Sequence, residues 1–489
     1  MSSNRNPKLI LAIATILSVG SYLLASQTQL TIGFPLDDSW IHQTYARNLV
    51  QYGEWAFWQG QSSGGSTAPL WSALLALGYL LKVSHFFWAF ALGSLFLWGL
   101  ALFAEHFLRE MVPSYRSAFP WAGIFIVGEW HLVWAAASGM ETLLYALLVT
   151  SVLVLLAIGK RNYLLLGALV GLSVWVRPGG VTLLAPIVVV MLFSGNDFKK
   201  IARDLLGSVL SFGIILSFYL LFNLFVTGTP LPNTYYAKQA EYAILRELAP
   251  VWRYFFAEIQ LPLIGAGAFL VPGVLFYAWQ TVRRRDVGVA VGFLWFLGYA
   301  GIYAWKLPVT YQHGRYMMPA MPIFFLWGLA GTFLLLGKLH SNRWVRRGML
   351  VYLVSLVFVW LTFFGIGARS YANDVAFIES EMVATAKWVN ANIPETKIIA
   401  AHDIGALGYF DGRELVDLAG LVSPDVIPFI RDEALLSEYL TERTIDYLIV
   451  FPTWYKTLPE GLALVYNTEG YFAPIYGGEN MVIYQWSRK

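Results

Sequence analysis

The sequence predicts an all-α polytopic membrane protein of about 11 transmembrane helices with juxtamembrane helices, followed by a small extracytoplasmic α/β domain. Its 489 residues are 57% hydrophobic and 13% charged, whereas a soluble protein of this length needs far more charge to cover its surface. Many apolar runs approach or reach the roughly 20 residues that cross a bilayer core. Beyond residue 369 the long apolar runs stop and acidic residues return, which predicts a second kind of domain.

The composition also excludes several kinds of function. The sequence has no cysteine, so disulfides, thiolate metal sites, iron–sulfur clusters and cysteine nucleophiles are excluded. The net charge of +3 is small and predicts no nucleic-acid partner. The seven histidines are scattered along the chain, which gives no zinc-site spacing. Most aromatic residues are expected in interfacial belts, and a minority in a substrate groove.

The basic loops decide which apolar runs cross the membrane. The first run, 9–26, follows Arg5 and Lys8 without a convincing cleavage site and is interpreted as a retained helix with a cytoplasmic N-terminus. If the run 68–82 does not cross, the basic clusters of the later loops share the side of Arg5 and Lys8, as the positive-inside rule requires. We therefore predict a juxtamembrane or re-entrant segment at 68–82. The other predicted spans are 86–104, 119–137, 140–158, 163–176, 179–194, 206–226, 261–281, 287–305, 319–337 and 345–367.

This topology predicts two domains. The transmembrane domain is 1–369, with 27–85 as its first extracytoplasmic loop, and the C-terminal extracytoplasmic domain is 370–489. In the latter, helical patterns at 377–392 and 432–441 alternate with short strand-like runs at 397–401, 447–451 and 481–486, which is typical of an α/β domain. Neither a phosphate loop nor a dinucleotide fingerprint is present.

Two adjacent acids, Asp37 and Asp38, open the first extracytoplasmic loop. An acid at this position can cap the helix that the following residues predict. One acid would suffice for capping, and a carboxylate near cations can also serve as a general base, so both interpretations stay open. If a helix begins here, Asp38, His42 and Tyr45 share one of its faces.

Further candidates lie on the other predicted extracytoplasmic segments. Glu129 and His131 are interpreted as a local pair, whereas Glu141 is a candidate functional acid. Arg177 either snorkels or contacts an anion, and the basic residues of separate loops could converge on a phosphate. The candidate phosphate ligands are Lys238, His313, Arg315 and Arg177, and the candidate substrate contacts are His42, Tyr45, Glu141, Tyr235 and Tyr236. No cofactor is required, although the paired acids with Glu141 could hold a divalent cation.

An ordered set of motifs then resembles the C-type (GT-C) glycosyltransferases. The motifs are DDSWIHQTYARNLVQYGEW, TAPLW, SGMET, VRPGG, LPNTYYAK, HGRYMMPAMP and HDIGALGYFDGRELVDLAGLVSP. They resemble the branch that contains the mycobacterial terminal β-(1→2) arabinofuranosyltransferase, and more distantly the protein mannosyltransferases and lipid A aminoarabinose transferases. The likeness covers nearly the whole chain, and it is specific for the superfamily but not for the sugar.

The resemblance implies an inverting glycosyltransferase of the cytoplasmic membrane whose active site is extracytoplasmic. The donor would be a polyprenyl-phosphate-linked sugar, arabinofuranose or another pentose or hexose, and the acceptor a glycan, lipid or protein. Asp37 or Asp38 would be the base, with Asp37 favoured as the first acid of the pair. Lys238, His313 and Arg315 would stabilise the leaving phosphate. The loop SSGGSTAPLW departs from the E-G-Y-T-N-like run of relatives, so the acceptor or the sugar is expected to differ.

Two other classes of function remain as alternatives. A transporter or flippase for lipid-linked sugars would be expected to show internal repeats and ionisable groups near the membrane midplane, and the sequence shows no repeat. A noncatalytic membrane scaffold that binds glycans would not need the acid pair.

Overall fold

The computed structural model describes residues 6–338 and 343–487, so Arg5 of the basic N-terminus lies outside it. Within these residues most of the chain is helical. The helices are α1 (Pro7–Gln29), α2 (Asp38–Tyr52), α3 (Pro69–Leu80), α4 (His85–Met111), α5 (Trp121–Val127), α6 (Trp130–Ala136), α7 (Thr142–Ala157), α8 (Tyr163–Val176), α9 (Leu184–Leu192), α10 (Phe198–Thr227), α11 (Asn233–Glu241), α12 (Leu245–Leu248), α13 (Val251–Gln260), α14 (Gly267–Arg284), α15 (Val287–Lys306), α16 (Tyr311–Gly314), α17 (Met321–Lys338), α18 (Arg343–Ile378), α19 (Ala384–Asn392), α20 (Gly405–Phe410), α21 (Glu433–Glu442) and α22 (Phe472–Ile475). The strands are β1 (Ala56–Trp58), β2 (Gln61–Ser62), β3 (Ile399–Ala401), β4 (Leu415–Asp417), β5 (Tyr447–Val450), β6 (Ala463–Asn467) and β7 (Val482–Gln485).

Six helical segments of the described chain are long and apolar enough to cross a membrane, and a seventh is formed if α13 and α14, bent by 106°, count as one span. Four further apolar helical segments are shorter, at 69–80, 142–157, 163–176 and 178–192. The run 119–137, expected to be one span, forms α5 and α6 instead. The break has a local cause, because the side chain of Glu129 accepts the Leu132 N–H and begins a new helix.

Small residues let the membrane helices approach closely. A Cβ on Gly331 of α17 would collide with the Gly273 carbonyl of α14, and a Cβ on Gly167 of α8 would collide with the Ser208 carbonyl of α10. Such glycine contacts are typical of helix pairs in membranes, where burial of apolar surface does not drive association.

The segment 68–82 contains α3, which begins with Pro69 at its first turn and packs on α2 and α4. Its 12 residues extend about 18 Å at the usual rise of a helix, well short of a bilayer core of about 30 Å. The prediction that 68–82 does not span stays a prediction, since α8, which was predicted to span, is only two residues longer. The hairpin of β1 and β2, which precedes it, was not predicted.

The C-terminal residues form a five-stranded sheet in the order β4-β3-β5-β7-β6. Strand β3 is parallel to β4 and β5, whereas β7 is antiparallel to β5 and β6. The predicted strands at 397–401, 447–451 and 481–486 overlap β3, β5 and β7. Sequence patterns missed β4, which has three residues, and β6, whose first three residues are exposed.

Helix α18 crosses the predicted boundary at 369/370 and continues through a π-helical turn into α19, so one continuous helix joins the two parts.

Candidate active site

A cavity of about 470 Å³ lies among α2, α8, α10, α11, α15 and the segment before α17. It gathers residues that are far apart in the sequence. Seven of the predicted site residues line it: Asp38, His42, Glu141, Arg177, Tyr235, Lys238 and Arg315.

Asp38 is the acid that faces this cavity. One of its oxygens lies 2.7 Å from Nη2 of Arg315 and 3.9 Å from Nζ of Lys238. Burial favours the neutral acid, but the nearby Arg315 and Lys238 outweigh it and lower the pKa of Asp38 from 3.8 to about 2. Asp38 is therefore an ionised carboxylate held by two cations at neutral pH.

Asp37 points elsewhere. Within the described chain it is not part of the cavity lining, and its two oxygens accept the backbone N–H groups of Gly405 (2.6 Å) and Ala406 (2.8 Å). Gly405 fits only because it lacks a Cβ, which would meet the Asp37 carbonyl. Burial and the charge of Asp403 raise the pKa of Asp37 to about 8, although the two amide bonds favour its charged form. Asp37 thus ties α2 to the C-terminal sheet unit.

A chain of polar contacts holds Arg177 in the cavity wall. His42 Nδ1 lies 2.9 Å from the Ser72 hydroxyl, and His42 Nε2 lies 3.5 Å from Glu141. Glu141 in turn accepts a hydrogen bond of 2.8 Å from Nε of Arg177. All four side chains are buried, and this packing fixes the guanidinium at the junction of α8 and the helical turn that follows it.

Tyr316 is a cavity residue that the sequence analysis missed. Its hydroxyl accepts a 3.0 Å hydrogen bond from Arg315, and its ring lies 4.9 Å from Arg315, 5.6 Å from Arg177 and 5.6 Å from Lys238. The negative face of an aromatic ring attracts cations, so Tyr316 brings three positive side chains to one place. Its position directly after Arg315 in the HGRYMMP motif was the available signal.

The cationic groups of the cavity keep unused donors. Nε and Nη1 of Arg315 and Nη1 of Arg177 are buried without a hydrogen-bond partner among the described residues. Four cations, Lys306 included, line the cavity against the two carboxylates Asp38 and Glu141. Buried guanidinium donors without partners are costly unless a ligand satisfies them. The cavity therefore suits an anion, and a phosphate matches the planar donor fork of arginine.

Much of the remaining lining is apolar. It includes Val174 of α8, Leu216 and Leu220 of α10, Ile302 of α15 and Leu307 directly after it. Charged and apolar walls in one cavity suit an amphiphile with an anionic head.

Besides Asp37, three predicted site residues lie outside the lining described above. Tyr45 is buried, and its hydroxyl contacts the Ser63 hydroxyl (2.6 Å) and accepts the Gly65 N–H (2.8 Å), so it supports the loop beside the cavity. The Tyr236 ring packs 5.4 Å from that of Tyr235. His313 pairs with Asp374 at 2.8 Å.

The C-terminal unit adds a second polar group that was not predicted as a site. His402 lies 3.4 Å from Glu241 of α11 and 4.0 Å from Asp403. Burial opposes the charge of His402, but the hydrogen bond to Glu241 and the charge of Asp403 raise its pKa to about 9. Burial raises the pKa of Asp403 to about 6. His402 and Asp403 begin the HDIGALGYFDG motif, to which the sequence analysis assigned no site residue.

A divalent cation does not fit this arrangement. The three candidate acids already have matched partners, namely backbone amides for Asp37, Arg315 for Asp38 and Arg177 for Glu141. The described residues contain no group of three or more His, Asp or Glu that could hold a metal ion.

The structure is similar to several solved glycosyltransferases. ArnT from Cupriavidus metallidurans bound to undecaprenyl phosphate matches with a TM-score of 0.58 at 12% identity, over 98% of this chain and 97% of ArnT. The Archaeoglobus fulgidus oligosaccharyltransferase tethered with an acceptor peptide matches with a TM-score of 0.56 at 12% identity, over 91% of this chain and 69% of that one. Arabinofuranosyltransferase AftD from Mycobacteria matches with a TM-score of 0.50 at 15% identity, over 99% of this chain but 40% of AftD.

Sequence comparison adds one match. A family described as a domain of unknown function (DUF8728) matches residues 367–484, and no curated protein sequence matches significantly. The structural likenesses show that the chain has the GT-C fold that the motifs predicted.

Proposed function

We propose that this chain is an inverting membrane glycosyltransferase that takes a sugar from a polyprenyl-phosphate donor. The observation that carries the proposal is the cavity in which Arg177, Lys238 and Arg315 surround Tyr316 beside an apolar wall. The cations and their unused donors suit the phosphate, and the apolar wall suits the polyprenyl chain. The similar ArnT structure holds undecaprenyl phosphate, a ligand of this class.

Asp38 is proposed as the general base in preference to Asp37. A base must lie within reach of the proton it accepts, and position counts before pKa. Asp38 lines the cavity, whereas both oxygens of Asp37 are occupied by backbone amides. This assignment differs from the expectation that the first acid of the pair is the base.

The reaction is a single displacement. The acceptor hydroxyl attacks the anomeric carbon, its proton passes to Asp38, and the bond from that carbon to the phosphate oxygen breaks. The electron pair leaves with the polyprenyl phosphate, whose growing charge Arg315 and Lys238 stabilise. Phosphate binding also draws these two cations away from Asp38. The pKa of Asp38 then rises, because burial still favours its neutral form while the cations no longer oppose it, which makes the carboxylate a better proton acceptor.

The other predicted site residues have supporting places in this proposal. Tyr235 lines the cavity and is placed against the sugar or the acceptor, with Tyr236 behind it. His42 and Glu141 hold Arg177, and Tyr45 holds the loop at Gly65. His313 is given a different role below.

We further propose that the chain lies in the cytoplasmic membrane with its active site on the extracytoplasmic face. The two parts are 1–369, with the loop 27–85, and 370–489. The second part covers the site, since Leu421 lines the cavity and the amides of Gly405 and Ala406 hold Asp37. The acceptor is an extracytoplasmic glycan, lipid or protein, and the sugar is arabinofuranose or another pentose or hexose.

The test uses the full chain in lipid nanodiscs with a panel of undecaprenyl-phosphate-linked sugars and a mixture of envelope acceptors. Wild type is expected to release undecaprenyl phosphate and transfer at least one sugar, with inverted anomeric configuration in the product. Asp38→Asn is expected to bind undecaprenyl phosphate but lose about 10²- to 10⁴-fold in transfer, the usual worth of a general base. Wild-type transport of the intact donor without transfer would instead support a flippase.

A further inference from the structure

The segment that carries Arg315 has a strained backbone. Three consecutive residues, Gln312 (φ 52°), His313 (φ 59°) and Gly314 (φ 71°), adopt the left-handed conformation, so the short element α16 is a left-handed turn and not an α-helix. Residues with side chains rarely adopt it, and usually one at a time. Strain of this kind persists only where the surroundings hold it in place, and it is concentrated at functional sites.

The His313 side chain is held from three sides. Its Nε2 lies 2.8 Å from an oxygen of Asp374 on α18, and that same oxygen accepts the indole N–H of Trp134 at 2.8 Å. The rings of Trp130 and Trp134 pack edge-on at 5.5 and 5.2 Å from the imidazole. The imidazole is thus fixed between α6 and α18 and does not reach the cavity lining.

The strained turn sets the direction of Arg315. The Arg315 backbone N–H donates to the Gln312 carbonyl at 3.2 Å, and the Met317 N–H donates to the Gly314 carbonyl at 2.8 Å. These bonds close the turn directly before the guanidinium that meets Asp38. If the turn relaxed, the backbone would rotate and the guanidinium would leave the phosphate position.

We infer that the His313–Asp374 pair is a positioning device that holds Arg315 in the cavity, and that His313 is not itself a phosphate ligand. The inference rests on the proposed function, because Arg315 is proposed to bind the donor phosphate. Asp374 lies on the helix that continues into the C-terminal part, so the pair also links the cation of the site to that helix.

A double-mutant cycle tests whether His313 acts through Arg315. The probe is undecaprenyl phosphate, titrated against the full chain in nanodiscs. Arg315→Ala is expected to weaken binding by about ten- to a hundredfold, the usual range for a charged hydrogen bond. His313→Ala should weaken binding as well, and the double variant should bind no more weakly than Arg315→Ala alone.

The matched control combines His313→Ala with Lys306→Ala. Lys306 lines the cavity from the end of α15 and shares neither Asp38 nor the Tyr316 ring with Arg315 among the described contacts, so any loss it causes should multiply with that of His313→Ala. The inference is wrong if the double variant His313→Ala/Arg315→Ala loses the product of the two single losses in affinity, because His313 would then act independently of Arg315.

Hydrogen–deuterium exchange of residues 310–316 gives a readout that does not depend on the ligand. Asp374→Ala should increase deuterium uptake there, and Asp374→Asn, which retains an acceptor oxygen for His313, should restore most of the protection. Unchanged uptake in Asp374→Ala would overturn the inference. If wild type fails to bind undecaprenyl phosphate, the proposed donor is wrong, while the uptake still decides whether the pair holds the turn.

Discussion

Removing the charge of Asp38 should slow the reaction and tighten donor binding, two effects of opposite direction. In the unliganded site the Asp38 carboxylate competes with the donor phosphate for Arg315 and Lys238. Asp38→Asn keeps the shape of the side chain and removes the competitor. The same change removes the proposed base, so turnover should fall while donor affinity rises.

The size of the affinity gain follows from the pKa of Asp38. Its displacement from 3.8 to about 2 corresponds to about 2 kcal/mol of net stabilisation of the charged carboxylate, which is the attraction to its cations less the cost of burial. If an amount of this size is released to the phosphate, undecaprenyl phosphate binds about thirtyfold more tightly. Only part of it is expected, because the phosphate and the carboxylate do not occupy the same point.

The assay is titration of nanodisc-embedded protein with undecaprenyl phosphate, followed by single-turnover transfer on the same preparations. The matched control is Asp37→Asn, since the neighbouring acid is also buried but bonds to backbone amides away from the cavity. The control should change donor affinity less than about twofold. Weaker binding by Asp38→Asn would refute the competition argument, and unchanged turnover would remove Asp38 as the base.

Two further predictions concern the contacts between the membrane part and the C-terminal part. Asp37→Ala removes the acceptor of two buried amides and should lower stability by about 2–3 kcal/mol; Gly405→Ala should have a similar effect because its Cβ meets the Asp37 carbonyl. Both would appear as a lower Tm and faster proteolysis of the C-terminal part, and wild-type Tm values in both variants would refute this role. The His402–Glu241 pair should stabilise the fold most below pH 6.5 and lose its effect as pH rises through about 9, because the pKa of His402 is raised in the folded state. The Tm difference between wild type and His402→Gln should therefore shrink from pH 6.5 to pH 10, and a constant difference would contradict the pairing.

Much of the fold could be predicted because it depends on local patterns. Apolar runs located most of the long helices, and strand-like runs located β3, β5 and β7. The break between α5 and α6 was missed because Glu129 was interpreted only as a partner of His131, whereas its carboxylate caps α6 by accepting the Leu132 N–H. Strand β4 was missed because only two of its three residues are apolar, whereas all three residues of β3 are, and because its pairing with β3 is nonlocal.

The site was predictable as a set of residues but not as a geometry. Lys238, Arg315 and Arg177 were recognised as cations on separate segments, and the structure brings all three to Tyr316. The place of His313 could not be foreseen, because it depends on a left-handed turn and on Asp374, 61 residues away. No spacing rule connects two such positions.

The acid pair shows why adjacent residues at a helix start can take different roles. Capping of α2 and catalysis were competing interpretations of Asp37 and Asp38. In the part of the chain that the structure describes, Asp37 neither caps α2 nor lines the cavity. Its side chain makes no capping bond to its own helix α2 within the described chain and instead caps the amides at the start of α20. Consecutive residues at the first turn of a helix point in different directions, so Asp38 is turned toward the cations while Asp37 holds the C-terminal part. The attachment of the C-terminal part over the site and the placement of the catalytic carboxylate therefore both depend on the same turn of backbone. A single substitution at Asp37 should disturb the cover, and one at Asp38 should disturb the chemistry.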